Sequence, residues 1–268
     1  MTERLAALGH DVVGLVTMPT PRRPELHERF LAESPVDVHV VRSAADVATI
    51  LRALDADLGV CSGFARRLPR EALAAPPLGV LNGHPSLLPR WRGPNPFGWT
   101  FRAGDDVFGY TFHLMDADFD TGRVLAQGAT PLSDDDSVET VHELLAPLVD
   151  DLLPRALERV EGGDAGDPQS SEGATYAPVF EDAFAEIDWT RTAREVHNQV
   201  RSWFLPTVGG LFGAHATLDG QRVRVKRTQI APGGVEAAPG TVVARDDGAS
   251  FVVQCGDAPL RVLETEPA

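Results

Sequence analysis

Short apolar, β-branched runs alternate with stretches whose apolar residues recur every three to four positions over the first half of the chain. The runs are DVVGLVT (11–17), VDVHVV (36–41), LGVCSG (58–63) and GVLNGH (79–84), and helical spacing falls around 24–33, from Ala44 to Leu54 and around 95–103. Strands separated by helices of that length predict βαβ units, hence a mostly parallel sheet covered on both faces. Two closely spaced runs follow, VFGYTFHLM (107–115) and RVLAQGATPL (123–132), and then a long helix from Ser137 with Val138, Val141, Leu145, Leu148 and Leu152 along one face. Asp134, Asp135 and Asp136 precede it and suit the positive end of a helix, whereas Pro147 and Pro154 are expected to bend it or break it into pieces.

Periodicity lapses at GGDAGDPQSSEG (162–173), a Gly, Asp and Ser-rich stretch that reads as a linker. A boundary there divides the chain into domains at 1–172 and 173–268. Beyond it, TRTAREVHNQVRSW (190–203) has the pattern of one amphipathic helix. The segments AHATLDGQRVRVKRTQI, GTVVARDDGASFVVQC and PLRVLETE then read as short strands with Asp-Gly turns, predicting a small antiparallel barrel or sheet.

Composition narrows this picture. A hydrophobic content of 43 % in 268 residues is that of a globular protein able to bury a core. No apolar run approaches the length of a membrane-spanning helix and MTERLAALGHD lacks the core of a signal peptide, so the cytoplasm is the expected compartment and no membrane partner is expected. Cys61 and Cys255 are far apart and outside any CxxC spacing, which predicts two small buried hydrophobes rather than a disulfide or zinc site. The formal charge is −15, with a single lysine, Lys226. Residues 1–172 carry 27 acidic and 15 basic side chains against 12 and 9 in residues 173–268, so the acidity belongs mostly to the first part. Such a balance repels polyanions and gives no support to a general nucleic-acid role. Arg222, Arg224 and Lys226 alternate with Val223 and Val225, making one strand face basic. It could contact RNA or a phosphorylated sugar, or belong to an edge strand kept soluble by charge.

The dense polar cluster lies between Leu78 and Gly122. Asn82 and His84 are two apart at the end of a strand, where parallel α/β sheets bind ligands, and both could donate to one oxygen in the manner of an oxyanion hole. Asp120, in the loop after a later strand, could orient His84 or tune its proton. Ser86 is outside any nucleophile-elbow motif, so the site looks built for attack by a substrate's own nucleophile. Asp116, Asp118 and Asp120 have the spacing of a calcium loop, but Thr121 and Gln127 stand where glycine and glutamate are needed, and no metal is expected. His113 reads either as a substrate-side residue or as a packed one. Arg90 and Arg92 read as holding a phosphate or as solvated, and Trp91, Trp99, Trp189 and Trp203 as core.

The run Asn82-Gly83-His84-Pro85-Ser86-Leu87-Leu88-Pro89, with Arg92-Gly93-Pro94, Trp99, Gly109, Thr111, His113 and Asp120-Thr121-Gly122, resembles the signature of the formyltransferases that use 10-formyltetrahydrofolate, among them methionyl-tRNA and amino-sugar formyltransferases. The resemblance is densest over 78–132 and continues more loosely through ATYAPVFEDAFAEIDW (174–189). It implies a Rossmann-like catalytic domain followed by an OB-like domain, and a catalytic trio of Asn82, His84 and Asp120. It further implies that Phe64, Arg66, Arg67, Leu68, Ser86, Asp116 and Asp118 bind the folate, with Arg90, Arg92, Trp99 and His113 on the acceptor side. In the reaction so implied, an amine attacks the formyl carbon while Asn82 and protonated His84 stabilise the oxyanion. By the same resemblance a strand is expected ahead of the opening helix, so either the chain starts late or the sheet lacks its first strand. The segment TMPTPRRPELHERF lacks the longer basic loop of a tRNA-formylating enzyme, and LETEPA ends short of its tail, which together with the acidic first domain favours a small-molecule amine as acceptor over methionyl-tRNA. A non-catalytic folate binder and a hydrolase of the formyl donor are the alternatives of other classes.

Overall fold

In the computed structural model, which describes residues 1–19, 24–64, 66–203, 212–218, 220–245 and 250–267, the expected strands and helices of the first half appear in order. After helix α1 (Thr2–Ala7), strand β1 (Leu15–Thr17) pairs in parallel with β2 (Val38–Val40), with α2 (Pro24–Glu33) between them. Helix α3 (Ala44–Leu54) starts where the Asp46 carboxylate accepts from the Ser43 amide and hydroxyl, a capping pattern that satisfies donors at a helix start. Strands β3 (Gly59–Ser62), β4 (Val80–His84), β5 (Val107–Leu114) and β6 (Val124–Pro131) form a second sheet in that order, with α4 (Arg70–Leu73) and α5 (Pro96–Ala103) in the connections. The β3–β4 pair is parallel and the β4–β5 pair antiparallel.

The parallel strands therefore lie in two sheets rather than one, and their burial differs accordingly. All five residues of β4 are buried between its two neighbours, whereas β1, β2 and β3 are only half-buried or exposed along their length. A strand hydrogen-bonded on both edges and packed on both faces is buried along its whole length, and β4 is so even at Asn82 and His84. Cys255 is buried and Cys61 half-buried, and burial pushes their thiols up to about 12 and about 11, so neither is a thiolate at neutral pH.

Helix α6 (Val141–Glu161) departs from expectation at its start and in its interior. Ser137 to Thr140 form a turn in which the Thr140 hydroxyl accepts from the Ser137 amide, and the helix begins only afterwards. The acidic residues ahead of it are engaged elsewhere: Asp136 accepts from the Ser133 amide and hydroxyl, and Asp134 pairs with Arg194. Both prolines sit inside one continuous helix. Each removes one amide donor, but Val141, Leu145, Val149, Leu152, Leu153, Ala156 and Val160 form a buried stripe that outweighs those losses.

The chain divides into two compact units, one of residues 1–92, 109–128 and 147–174, the other of 93–108, 129–146 and 175–268. In the second unit α7 (Ala193–Arg201), closed by a Thr192–Glu195 capping box, packs on a five-stranded antiparallel sheet. Its strands are β7 (Ala214–Leu218), β8 (Gln221–Ile230), β9 (Val242–Arg245), β10 (Phe251–Gln254) and β11 (Pro259–Pro267), in the order β7-β8-β11-β10-β9. The core between them gathers Phe180, Phe184, Trp203, Val225, Val253 and Val262. Strand β8, which carries the basic face, is interior to this sheet and not an edge. The Asp-Gly turns expected here include Asp219, Asp247 and Gly248, which lie outside the described residues.

Candidate active site

Asn82 and His84 point to one face of β4, because side chains two apart along a strand share a side. The antiparallel register sets His113 opposite Asn82 and Thr111 opposite His84, which brings four polar side chains together on adjacent strands. Gly83 between them tolerates no side chain: a Cβ there would come within 2.4 Å of the Tyr110 hydroxyl. Exposures of 8 % for Asn82, 5 % for His84, 0 % for Thr111 and 1 % for His113 mean that every polar atom needs a partner. His113 Nδ1 donates to the Leu114 carbonyl at 3.1 Å and His84 Nε2 donates to the Trp91 carbonyl at 2.8 Å. Since a carbonyl only accepts, the His113 proton lies on Nδ1 and the His84 proton on Nε2. His113 Nε2 is then an acceptor, and Asn82 Nδ2 donates to it at 3.1 Å.

Asp120 is brought to this face by the loop between β5 and β6. Its Oδ1 is 3.4 Å from Asn82 Nδ2, 3.5 Å from His84 Nδ1 and 3.6 Å from His113 Nε2, so three side-chain nitrogens converge on one oxygen. The backbone makes this possible by a tight turn. Asp120 adopts a positive φ of 56°, which Asp tolerates better than most residues, and at Gly122 a Cβ would lie 1.6 Å from the Leu114 carbonyl oxygen. Burial lowers the His84 pKa below the ordinary histidine value, while the Asp120 charge and the Trp91 carbonyl push it up and His113 lowers it further. The net direction leaves the resting His84 neutral at neutral pH, so the protonated form expected in the reaction has to gain its proton there. A neutral Nδ1 then faces the carboxyl group, and the pair is placed to take up one shared proton.

The other expected site residues fall into groups. Ser86 is buried with its hydroxyl donating to the Arg90 carbonyl at 2.7 Å, and Arg90 lies 4.1 Å from the Trp91 ring centroid. Both shape the loop whose Trp91 carbonyl holds His84. Asp116 Oδ1 accepts from the Asp118 amide and the Thr121 hydroxyl, bracing the Asp120 loop from within. Arg67 hydrogen-bonds the Ala117 carbonyl and Asp118, and its guanidinium lies 5.6 Å from the Phe119 ring centroid, which ties the 64–68 segment to that loop. Phe64 and Leu68 pack in the core beneath, and Arg66 is exposed. Trp99 stands in the second unit, its Nε1 donating to the Pro178 carbonyl at 2.7 Å. Arg92 donates to Gln169 through Nε at 3.1 Å and Nη2 at 2.7 Å. Gln169 was assigned to a linker by the sequence pattern, and no residue-type signal there marks it.

Known proteins bear directly on this arrangement. The family described as "Formyl transferase" matches residues 28–157, and "Formyl transferase, C-terminal domain" matches residues 180–268. A methionyl-tRNA formyltransferase of Pelobacter propionicus is 35 % identical over 271 residues, covering 97 % of this chain and 82 % of its own. The chain belongs to the formyltransferase family that uses 10-formyltetrahydrofolate. A second methionyl-tRNA formyltransferase, from Symbiobacterium thermophilum, is 36 % identical over 276 residues, with coverages of 98 % and 82 %. Among solved structures, HypX from Aquifex aeolicus in complex with tetrahydrofolic acid superposes with a TM-score of 0.66 at 20 % identity, covering 94 % of this formyltransferase and 44 % of HypX. The N-formyltransferase from Helicobacter canadensis, in complex with folinic acid and dTDP-3-aminofucose, gives 0.63 at 14 %, covering 96 % and 100 %. At these identities the likeness is one of fold, a Rossmann-like α/β core with an antiparallel β-rich C-terminal part.

A formyltransferase needs room for its folate donor. An open recess of about 370 Å³ is lined by Ala44, Arg67, Leu68, Pro69, Arg70 and Ala117, where α3, α4 and the Asp120 loop meet. That volume lies in the range of small-molecule sites, and its lining sets Arg70, and Arg67 with its Asp118 partner, beside apolar side chains. Among the described residues no group of three or more His, Cys, Asp or Glu side chains is placed to hold a metal, and no helix is long and apolar enough to cross a membrane.

Proposed function

We propose that this formyltransferase passes the formyl group of 10-formyltetrahydrofolate to the amine of methionyl-tRNA, with Asn82, His84 and Asp120 as its catalytic residues. The convergence of three nitrogens on Asp120 Oδ1 supports the chemistry. The amine attacks the formyl carbon, the carbonyl pair moves to oxygen, and the tetrahedral adduct collapses by expelling the folate nitrogen. One proton must leave the attacking amine and one must reach the departing nitrogen. The Asp120–His84 pair accepts the first and returns it as the second, with Trp91 holding the far side of the imidazole. Asn82 serves the oxyanion: its long 3.4 Å contact to Asp120 is the one that a substrate oxygen replaces. Residues 1–172 act as the catalytic domain and 173–268 as the C-terminal domain, and the recess at Arg67 and Leu68 receives the folate.

The acceptor assignment is supported by relatives named for methionyl-tRNA whose similarity runs through 97 % of the chain, the C-terminal part included. A small-molecule amine is the second reading, and one observation favours it. Each cation on the basic face of β8 is neutralised: Arg222 by Glu186, Arg224 by Glu266 and Lys226 by Glu264. A formal charge of −15 adds to this. Formylation of methionyl-tRNA and of a panel of amino sugars and amino-acid-derived amines decides between them. Efficient tRNA formylation with an inert panel is expected; turnover of a panel amine with inert tRNA replaces the first reading by the second.

A further inference from the structure

Gln169 joins two arms of the site. Its amide has no spare hydrogen-bonding capacity: Nε2 donates to the Asp120 carbonyl at 2.9 Å and the Gly122 carbonyl at 2.7 Å, while Oε1 accepts two hydrogen bonds from Arg92. Guanidinium groups only donate and carbonyls only accept, so the amide can face only one way. One arm is the turn that holds Asp120 at positive φ, and the other is the loop whose Trp91 carbonyl accepts a hydrogen bond from His84 Nε2. The segment around Gln169 is fastened rather than loose. Asp167 forms a two-bond bridge with Val124, Arg123 donates to the Ala165 and Gly166 carbonyls, and Arg159 pairs with Asp164 and Asp167. Asp167, Pro168 and Ser170 are exposed while Gln169 turns inward.

We infer that Gln169 is a positioning residue for proton transfer, setting the separation of Asp120 from His84 by bracing both loops at once. The inference rests on the catalytic reading of Asp120 given above. Misplacing a reacting group by about 1 Å costs on the order of 100-fold in rate, and loss of the brace should approach that although Gln169 does not itself line the donor recess. Gln169→Glu keeps the shape and the Arg92 contact but turns a carboxylate oxygen towards two carbonyls. Protonation restores one donor, so the activity ratio of this variant to wild type should rise as pH falls into the carboxylate range, while the ratio for Gln169→Ala stays flat.

The test is a double-mutant cycle on the full-length protein, with 10-formyltetrahydrofolate and the acceptor selected by the panel above, following kcat, KM for the donor and thermal midpoint. Gln169→Ala and Gln169→Glu should lower kcat about 10- to 100-fold with donor KM and midpoint near wild type. In an Asp120→Asn background, Gln169→Ala should cost less than about 3-fold more, because a residue acting through Asp120 has nothing left to position. Gln169 variants with wild-type kcat beside an impaired Asp120→Asn overturn the inference and leave the catalytic reading standing, as does an equal loss in both backgrounds. An Asp120→Asn variant of wild-type kcat overturns both.

Discussion

Asp120 holds a backbone conformation that costs a non-glycine residue on the order of 1 kcal/mol, and the return on that strain is a carboxylate in reach of three buried nitrogens. Replacing it with asparagine keeps the shape but abolishes the proton acceptor, and kcat should fall on the order of 100- to 1000-fold with folate-analogue binding little changed. Gly122→Ala should destabilise by about 2–4 kcal/mol in denaturant unfolding, since its Cβ has no room beside the Leu114 carbonyl. Asn82 and His84 were legible because a strand has a period of two, and Asp120 because its motif is that of the family. The Trp91 carbonyl was not, because a side chain–backbone contact leaves no mark on residue type at the backbone partner, and the Gln169 amide was not, because it stands in a stretch of linker composition far along the chain from Asp120. The lowered pKa of resting His84 was not legible for a related reason: burial of the whole face, which sets its direction, depends on packing that composition does not show.

Strand and helix positions followed the apolar spacing closely, down to Ala44–Leu54. Spacing failed where polar side chains chose between partners. Three aspartates before α6 resemble helix caps until Ser133 and Arg194 claim two of them. The stripe that keeps α6 whole despite two prolines should be costly to cut: Leu152, fully buried, should lose about 2–5 kcal/mol on replacement by alanine, read from the shift in urea midpoint. The same competition explains the segment at 162–173, whose composition is that of a linker but whose Asp164, Asp167 and Gln169 side chains bind the body of the first unit.

The strand order that makes β8 interior, and the repeated passage of the chain between two units, are long-range facts that a linear pattern does not carry. They also bury His197 in the second unit, where burial and then the Arg201 charge lower its pKa to about 4. Its Nε2 donates to the Asp134 carbonyl and its Nδ1 accepts from Thr228, both suited to a neutral ring. The unfolded chain takes this proton near the ordinary 6.5 and the folded protein only near 4, so the stability is complete above about 6.5 and is lost as pH falls towards 4. The loss amounts to roughly 3 kcal/mol, and urea unfolding at several pH values should show it reduced by that amount in His197→Asn. The most direct test of the account as a whole is the rate at which 10-formyltetrahydrofolate becomes tetrahydrofolate with methionyl-tRNA present, compared between wild type and Asp120→Asn. Acceptor-dependent turnover that falls at least 100-fold in the variant is the predicted result; turnover that ignores the acceptor, or survives in the variant, contradicts it.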